Sequence, residues 1–212
     1  MNKERAIKNT EGFVKQNLEG YDSGHDWWHI ERVRGLAGYI NTKEVLADPF
    51  TLEIAALLHD SADSKFAGDN IEQGYTLIYE FMDKNELSEI KDQVIEVIRN
   101  VSFSKKSASG NLSDPVLLIV QDADRLDAIG AIGIARAFNY GGFRNNPIYI
   151  PEENNVGNSR STIGHFYDKL LKLKGLMNTK AAKNIAEERH IFLEIFLEKF
   201  MYECGFAERI NY

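Results

Sequence analysis

The sequence has a single cysteine and no long apolar stretch, and each of these features excludes a class of protein. Its 212 residues include a single cysteine, Cys204, so no intramolecular disulfide can form. The longest small or apolar run, Ala128 to Ala135, is far shorter than the roughly 20 residues that cross a bilayer. The first residues are polar and do not resemble the apolar stretch of a signal peptide. We therefore expect a cytoplasmic protein that does not cross a membrane.

Basic residues are fewer than acidic residues in this sequence. The chain has 25 Lys and Arg against 32 Asp and Glu, a formal net charge of −7. Such a chain has no general electrostatic attraction for nucleic acid or for anionic lipid, so a polyanion would need a local basic site. With 43% hydrophobic and 27% charged residues, the composition is that of a globular protein. The length and the absence of a linker predict one domain across residues 1–212.

The apolar residues repeat with the spacing of a helix, which predicts an all-α fold. Leu52 to Leu58 is apolar almost all round, as in a buried central helix. Asp114 and Pro115 indicate the start of a long helix that runs through Asp124 to Ile134. Residues 139–160 show no period and predict a long irregular loop, with a short strand at Ile148 to Ile150. Further helices are predicted at 27–41, 71–82, 87–101, 162–177 and 179–204.

Two histidines occupy unusual places on these helices. His29 lies one turn before Val33 on an apolar face, and His59 follows the apolar helix directly. A lone histidine on such a face is more often a hydrogen-bonded core residue than a ligand. Asp60, however, comes next to His59, and an unpaired carboxylate is expensive to bury. A bound cation at this place would neutralise it.

An acidic string on the helix after Pro115 supplies a further carboxylate. The helical repeat places Asp124 and Asp127 on the inward stripe with Leu117 and Val120. Asp124 is therefore the better ligand. Asp122 is either a carboxylate that supports the ligands from behind or a solvated charge. Imidazole with carboxylate and open positions suits Mn²⁺, Fe²⁺, Ni²⁺ or Zn²⁺ and favours hydrolysis.

His25 and His29 also form a competing pattern, because two histidines four apart with an acid after the first resemble a zincin helix. A zincin has glutamate after the first histidine, whereas this chain has Asp26, and Gly24 indicates a helix that begins too late to hold His25. The chain has no glycine-rich phosphate loop, no Cys-x-x-Cys pair and no Gly-x-Ser-x-Gly elbow. Nucleotide-switch, zinc-ribbon and serine-hydrolase functions are therefore set aside.

The order His29, then His59-Asp60, then Asp124 resembles the H…HD…D signature of the HD-domain metal-dependent phosphohydrolases. The strings that carry the likeness are residues 25–33, 55–60 and 120–130, and they resemble the YpgQ/YedJ-type bacterial branch of that superfamily. The likeness extends through residues 140–142 and 165–171 and covers about Tyr21 to Cys204, the expected core of the domain.

The resemblance implies the all-helical HD fold with one divalent metal ion held by His29, His59, Asp60 and Asp124. Mn²⁺ is favoured, with Ni²⁺, Fe²⁺, Zn²⁺, Co²⁺ or Mg²⁺ as alternatives. For this branch it implies cleavage of nucleoside triphosphates, above all deoxynucleotides, to the monophosphate and pyrophosphate. Asp63, three residues after the HD aspartate, is the candidate to orient or deprotonate the attacking water. Its alternative is an N-cap or surface acid.

Other residues are candidates to surround the metal and the substrate. Charge that develops on the phosphates demands cations placed beforehand. The candidates adjoin a motif or lie on the helix after the loop, and they are Lys65, Arg125, His165 and Lys169. The alternative for each of them is a solvated surface charge. His25, Asp122 and Asp127 are expected just behind the metal ligands. Trp27, Trp28 and Tyr140 either stack on a nucleobase or pack in the core, and core packing is expected.

The resemblance leaves other functions open. A phosphatase or phosphodiesterase acting on another nucleotide, an alarmone or a monophosphate, has nearly the same sequence features. A non-catalytic metabolite-binding HD module would bind without turnover. Di-iron oxygenation needs additional histidine and aspartate ligands near the first metal, and the histidines that remain are His25, His165 and His190. We expect a small-molecule nucleotide partner, no nucleic acid, no membrane, and a monomer or homodimer.

Overall fold

The all-α prediction is confirmed. The structure is a computed structural model that describes residues 2–18, 26–62, 71–101, 113–151 and 160–205. Within these ranges the regular elements are helical and no strand occurs. The chain divides into two compact units, Met1–Asp124 and Arg125–Tyr212. A single domain across residues 1–212 stays a prediction.

The first unit is built around a short buried helix. Its helices are α1 (Lys3–Leu18), α2 (Trp27–Glu44), α3 (Pro49–Leu58), α4 (Ile71–Lys84) and α5 (Lys91–Asn100), followed by most of α6 (Pro115–Asp127). Helix α3 packs against α1, α2 and α5, and apart from Pro49 and Glu53 its residues are buried. This confirms the central helix predicted at Leu52 to Leu58.

Helix α3 begins at Pro49 because its first turn is capped from outside. The carboxylate of Asp48 accepts a hydrogen bond from the backbone N–H of Thr51 at 2.9 Å. Proline suits the first helical position because its missing N–H would have no partner inside the helix. The cap and the apolar packing fix the start of α3, and thereby the position of His59 and Asp60 at its other end.

The second unit holds α7 (Gly130–Phe143), α8 (Thr162–Asp168), a 3₁₀ helix (Leu170–Leu176) and α9 (Lys180–Glu203). Helix α9 packs against α7 and the 3₁₀ helix. Its centre is aromatic: the rings of Phe166 and Phe196 stack with centroids 5.8 Å apart, and Phe138 meets Phe196 edge-on at 5.8 Å. Aromatic pairs at such distances add stability beyond the area that they bury.

The structure corrects the predicted long helix through Ile134. Helix α6 ends at Asp127, and α7 begins at Gly130, whose φ is +75°. A left-handed backbone favours glycine, and a Cβ at this position would also lie 2.9 Å from Cγ of Arg189. Gly130 therefore breaks the pattern that the apolar residues suggest.

The predicted irregular loop over 139–160 begins too early, since α7 continues to Phe143. Gly141 lies within this helix, and its missing Cβ allows a close approach: a Cβ there would lie 2.1 Å from Oγ1 of Thr162. The strand predicted at Ile148 to Ile150 is wrong. The carbonyls of Pro147 and Ile148 instead accept hydrogen bonds from the backbone N–H groups of Thr162 and Ile163, at 2.8 and 3.0 Å.

The single helix predicted over 162–177 divides at Lys169, whose backbone leaves the helical region. The buried residues Leu170 and Leu173 then lie three apart. A spacing of three matches the 3₁₀ repeat, in which side chains at i and i+3 lie above one another. The apolar pattern is satisfied by this tighter helix.

Candidate metal centre

His29 enters the site from the first turn of α2. Helix α2 begins at Trp27, and its cap is Asp26, whose carboxylate accepts a hydrogen bond from the backbone N–H of His29 at 2.8 Å. The side chain of His29 is fully buried, on the same inward face as Val33. The cap and the apolar face together fix the direction of this imidazole.

His59 enters from the end of α3, and the backbone determines which ring nitrogen is available. Its Nδ1 lies 2.8 Å from the carbonyl oxygen of Ala56, so Nδ1 carries the proton and donates a hydrogen bond to that oxygen. Nε2 then bears the lone pair. In the described part of the chain this buried Nε2 has no hydrogen-bond partner. A buried polar atom left in this state costs about 1–3 kcal/mol, so an electron-pair acceptor is expected there.

Two carboxylates lie against these imidazoles. The oxygens of Asp60 are 3.4 Å from Nε2 of His29 and 3.5 Å from Nε2 of His59. An oxygen of Asp124 is 3.7 Å from Nε2 of His29. The imidazoles are buried, whereas Asp60 and Asp124 are 14% and 32% exposed in their side chains. Solvent therefore reaches the site from the side of the two carboxylates and not from the side of the buried histidines.

This arrangement fits a metal ion. His29, His59 and Asp124 each offer a ligand atom, and these atoms all lie within 4.8 Å of one another. Ligand atoms bonded to one ion at ordinary lengths are about 3 to 4.2 Å apart. The nitrogen–oxygen distances to the two carboxylates are too long for good hydrogen bonds and fall in that range. Imidazole with carboxylate is also the donor set of divalent transition metals.

Comparison with known proteins identifies the family of this chain. Residues 27–129 match the family model for the HD domain. The chain is 42% identical over 194 residues to the protein YpgQ of Bacillus subtilis strain 168, which covers 88% of each chain. The chain belongs to the HD-domain family. Recognition of this family from the sequence is thereby confirmed.

Solved structures of other HD-domain proteins have the same fold. The crystal structure of Bacillus subtilis YpgQ in complex with ADP is similar with a TM-score of 0.77 and 37% identity, over 97% of this chain and 100% of that one. An HD-superfamily hydrolase from Bacillus thuringiensis has a TM-score of 0.76 and 40% identity, over 96% and 99%. HD-superfamily hydrolases are metal-dependent phosphohydrolases, and this protein is an enzyme of that class.

The HD-domain structure brings together four of the predicted residues: His29, His59, Asp60 and Asp124 are the cluster described above. Asp122 is fully buried, so its interpretation as a solvated charge is wrong. Its role in support of the ligands stays a prediction. His25, Asp63 and Lys65 lie outside the described residues.

The late start of the helix that Gly24 indicates is confirmed. Helix α2 begins at Trp27, and Asp26 is its cap. Two histidines four apart bind one ion when both stand on one face of one helix. His25 itself lies outside the described residues.

Two predicted side chains near the end of α6 are engaged within the second unit. Asp127 is buried and forms an ion pair with Arg136, with the two charged atoms 2.7 Å apart. Arg125 donates a hydrogen bond to the carbonyl oxygen of Leu176 at 2.5 Å. These contacts stabilise the second unit, and a role for either residue toward metal or substrate stays a prediction.

His165 and Lys169 are one turn apart at the end of α8. His165 is an exposed residue, yet desolvation by the surrounding protein and the nearby Lys169 ammonium lower its pKa, against the opposing charge of Asp168. His165 is therefore neutral at neutral pH. As a substrate contact it would offer a hydrogen bond rather than a positive charge.

Sequence patterns did not reveal two features of the site. The carbonyl of Ala56 selects the tautomer of His59, and a backbone group leaves no signal in residue type. Core packing was expected for the aromatic residues near the motifs, but Trp28 is 66% exposed and Tyr140 is exposed as well. Trp27 is half-buried, and Nζ of Lys15 lies 4.0 Å from its ring centroid.

Among the described residues, no helix is long and apolar enough to cross a membrane.

Proposed function

We propose that this HD-domain enzyme is a nucleoside triphosphate pyrophosphohydrolase that uses one divalent ion, most readily Mn²⁺. We propose His29, His59, Asp60 and Asp124 as its ligands. The observation that carries the proposal is the buried Nε2 of His59, which has no hydrogen-bond partner among the described residues and lies 3.5 Å from an oxygen of Asp60. The crystal structure of the relative YpgQ with ADP supports a nucleotide as the ligand.

The residues of the chain prepare the site before any substrate arrives. A divalent ion in such a site supplies a water of lowered pKa and polarises a phosphoryl oxygen. His59 keeps a fixed orientation because its Nδ1–H donates to the carbonyl of Ala56. Burial of both imidazoles excludes water from their side of the site, and the partly exposed carboxylates of Asp60 and Asp124 face the opening.

The proposed reaction is attack of water on the α-phosphorus. The water oxygen forms a bond to that phosphorus, while the bond to the bridging oxygen breaks and pyrophosphate leaves with it. We propose that Asp63 orients this water and accepts its proton. Lys65, Arg125, His165 and Lys169 are proposed to contact the phosphates. A neutral His165 would do so as a hydrogen-bond donor, since desolvation and Lys169 lower its pKa.

The products test the proposal. Metal-stripped protein receives Mn²⁺ and each of the four deoxynucleoside triphosphates in water enriched in heavy oxygen, and phosphorus NMR identifies the products. The expected result is pyrophosphate plus monophosphate, with the label in the monophosphate, because water attacks the α-phosphorus. Label in released orthophosphate would instead indicate a phosphatase. Binding without any product would indicate a metabolite-binding module.

The His59→Ala protein is the control for contaminating activity. It lacks the nitrogen with the open lone pair, so the same preparation should give no pyrophosphate. The His190→Ala protein is its match, because Nε2 of His190, like that of His59, lies near a carboxylate oxygen, here 3.4 Å from Glu194, and His190 is half-buried on a helix. It should retain the full rate.

A further inference from the structure

We propose that the indole of Trp28 stacks on the base of the bound nucleotide and gives the enzyme affinity for nucleosides of every base. This inference rests on the proposed function, because it requires a nucleotide whose phosphates lie at the centre formed by His29, His59, Asp60 and Asp124. It assigns the part of the substrate that the metal centre does not contact.

The argument begins with the exposure of Trp28. Trp28 is 66% exposed, whereas its neighbour Trp27 is half-buried, with the ammonium of Lys15 at 4.0 Å from its ring centroid. A tryptophan side chain gains more than almost any other from burial, so a largely exposed indole forfeits stabilisation that Trp27 obtains. An indole in water is also a flat apolar surface, ready for another flat ring.

The position of Trp28 beside the metal centre indicates that the ring that stacks on its indole is the base of the nucleotide. Trp28 is the residue directly before His29, in the first turn of α2, and the cap of Asp26 on the N–H of His29 fixes that turn. Consecutive Cα atoms are about 3.8 Å apart, so the indole begins one residue away from a buried member of the metal centre. In a nucleotide the base is separated from the α-phosphate by the sugar alone. Phosphate at the centre therefore brings the base to the surroundings of this turn.

Stacking determines what the site recognises. Every nucleobase has a π-face, so stacking on an aromatic side chain binds purines and pyrimidines alike, and its loss typically weakens binding about 5-fold to 150-fold. Because stacking does not distinguish the bases, we expect Trp28 to favour nucleotides over inorganic polyphosphate without preferring one base to another.

Arg32 lies one helical turn from Trp28, at position i+4 on the same face of α2.

The chain has only two tryptophans, which makes the test selective. In the Trp27→Phe protein Trp28 is the sole indole reporter, and in the Trp28→Phe protein Trp27 is. Each receives Mn²⁺ and a deoxyadenosine triphosphate analogue with a methylene group between the α- and β-phosphorus, which cannot release pyrophosphate. Inorganic tripolyphosphate is the ligand without a base.

We expect the analogue to quench the fluorescence of the Trp27→Phe protein and to leave that of the Trp28→Phe protein unchanged. Tripolyphosphate should quench neither. Trp28→Ala should weaken binding of the analogue about tenfold, Trp28→Tyr should restore most of it, and binding of tripolyphosphate should be equal in all of them. In turnover, Trp28→Ala should raise KM with little change in kcat.

The inference is overturned if the Trp27→Phe protein shows no quenching by the analogue, or if tripolyphosphate quenches it equally. It is also overturned if Trp28→Ala binds the analogue as tightly as the parent protein, in which case the exposed indole serves another partner. Failure of the proposed function is separate: Trp28 quenched by the analogue, with no pyrophosphate from the natural triphosphates, removes the reaction and leaves the stacking.

Discussion

Helix α2 carries two clusters of charged side chains that neutralise their carboxylates in different ways. In one, the guanidinium of Arg34 donates to Glu53, to Glu11 at 2.8 Å and to Glu31 at 3.1 Å. In the other, the carboxylates of Asp60 and Asp124 lie against the imidazoles of His29 and His59. The first cluster contains its own permanent cation, and the second offers a lone pair at Nε2 of His59.

This difference separates a structural cluster from a metal centre. Partial burial alone lowers the pKa of Arg34, but the hydrogen bonds and charge of Glu53, helped by Glu31 and Glu11, raise it above its ordinary value. Arg34 therefore stays charged and the glutamates stay satisfied. A group of acidic residues does not by itself indicate a metal site. The indication comes from a buried ligand atom that the protein leaves open within reach of other imidazole and carboxylate ligands, as at His59.

The largest effect is expected from removal of that ligand atom. His59→Ala takes away one proposed ligand, and loss of the residues that merely support a ligand already costs about 10-fold to 100-fold in metal affinity or activity. We therefore expect more than about 100-fold lower turnover and no retained Mn²⁺, measured by steady-state kinetics and elemental analysis. Unchanged metal content in a folded His59→Ala protein would break the comparison. His190→Ala, on α9, should behave as the parent protein.

Removal of the metal ion should lower the stability of the folded protein, because the ion binds the cluster of His29, His59, Asp60 and Asp124. An ion that binds only the folded state stabilises it by about 2.7 kcal/mol when the free ion is at 100 times its Kd. We expect chelation to lower Tm and Mn²⁺ to restore it, as followed by differential scanning calorimetry. The His59→Ala and Asp124→Ala proteins should show no such Mn²⁺-dependent rise. A rise equal to that of the parent would mean that the ion binds elsewhere.

Replacement of Arg34, the cation of the first cluster, should lower the stability of the protein without changing its metal binding. Arg34→Gln leaves three partly buried glutamates without their guanidinium, and we expect a loss of about 1–2 kcal/mol in the free energy of unfolding by urea. Metal affinity and turnover should be unchanged. Lys84→Gln is the control, since Lys84 and Glu80 form an exposed pair 3.7 Å apart, for which less than about 0.5 kcal/mol is expected. Loss of bound metal in Arg34→Gln would contradict the separation of the two clusters.

The smallest effect is expected at Asp48, a carboxylate satisfied by the backbone. The hydrogen bond from the N–H of Thr51 lowers the pKa of Asp48 below its ordinary value. Because the folded pKa is depressed, this stabilisation is present above the unfolded value of about 3.9 and is lost as pH falls through the folded value. Asp48→Ala should therefore cost about 1 kcal/mol at neutral pH and almost nothing at the acid end. Urea unfolding of both proteins across that pH range gives the difference.

The fold could be predicted where one residue pattern had one structural solution. A helical stretch whose residues are apolar apart from Glu53 is buried almost all round, so α3 was predictable from Leu52 to Leu58. The helical repeat also singled out Asp124 as the ligand candidate, and the structure brings it to His29, although its side chain is 32% exposed and is less buried than Asp122. The burial of Asp122 could not be foreseen, because the helical period gives a direction but not whether other elements cover that direction.

Close approaches account for the errors in the helix boundaries. Gly130 and Gly141 have the same residue type, yet one breaks the helical pattern and the other continues it. What differs is the neighbour: Gly130 takes a left-handed backbone beside Arg189, whereas Gly141 stays helical and its missing Cβ admits Thr162. Such contacts join residues far apart in the chain, and a local pattern does not contain them. The carbonyl of Ala56 was missed for a different reason: it lies only three residues from His59, but a backbone group leaves no signal in residue type.

The most direct measurement concerns the two imidazoles. Pulsed EPR of Mn²⁺ bound to protein with ¹⁵N-labelled histidine counts the nitrogens that contact the ion. We predict one ion per chain coupled to two histidine nitrogens in the parent protein and in Arg34→Gln, and no signal of bound Mn²⁺ in the His59→Ala protein. Mn²⁺ bound without coupling to any histidine nitrogen, or with an unchanged pattern in His59→Ala, would contradict the assignment of the metal to this cluster.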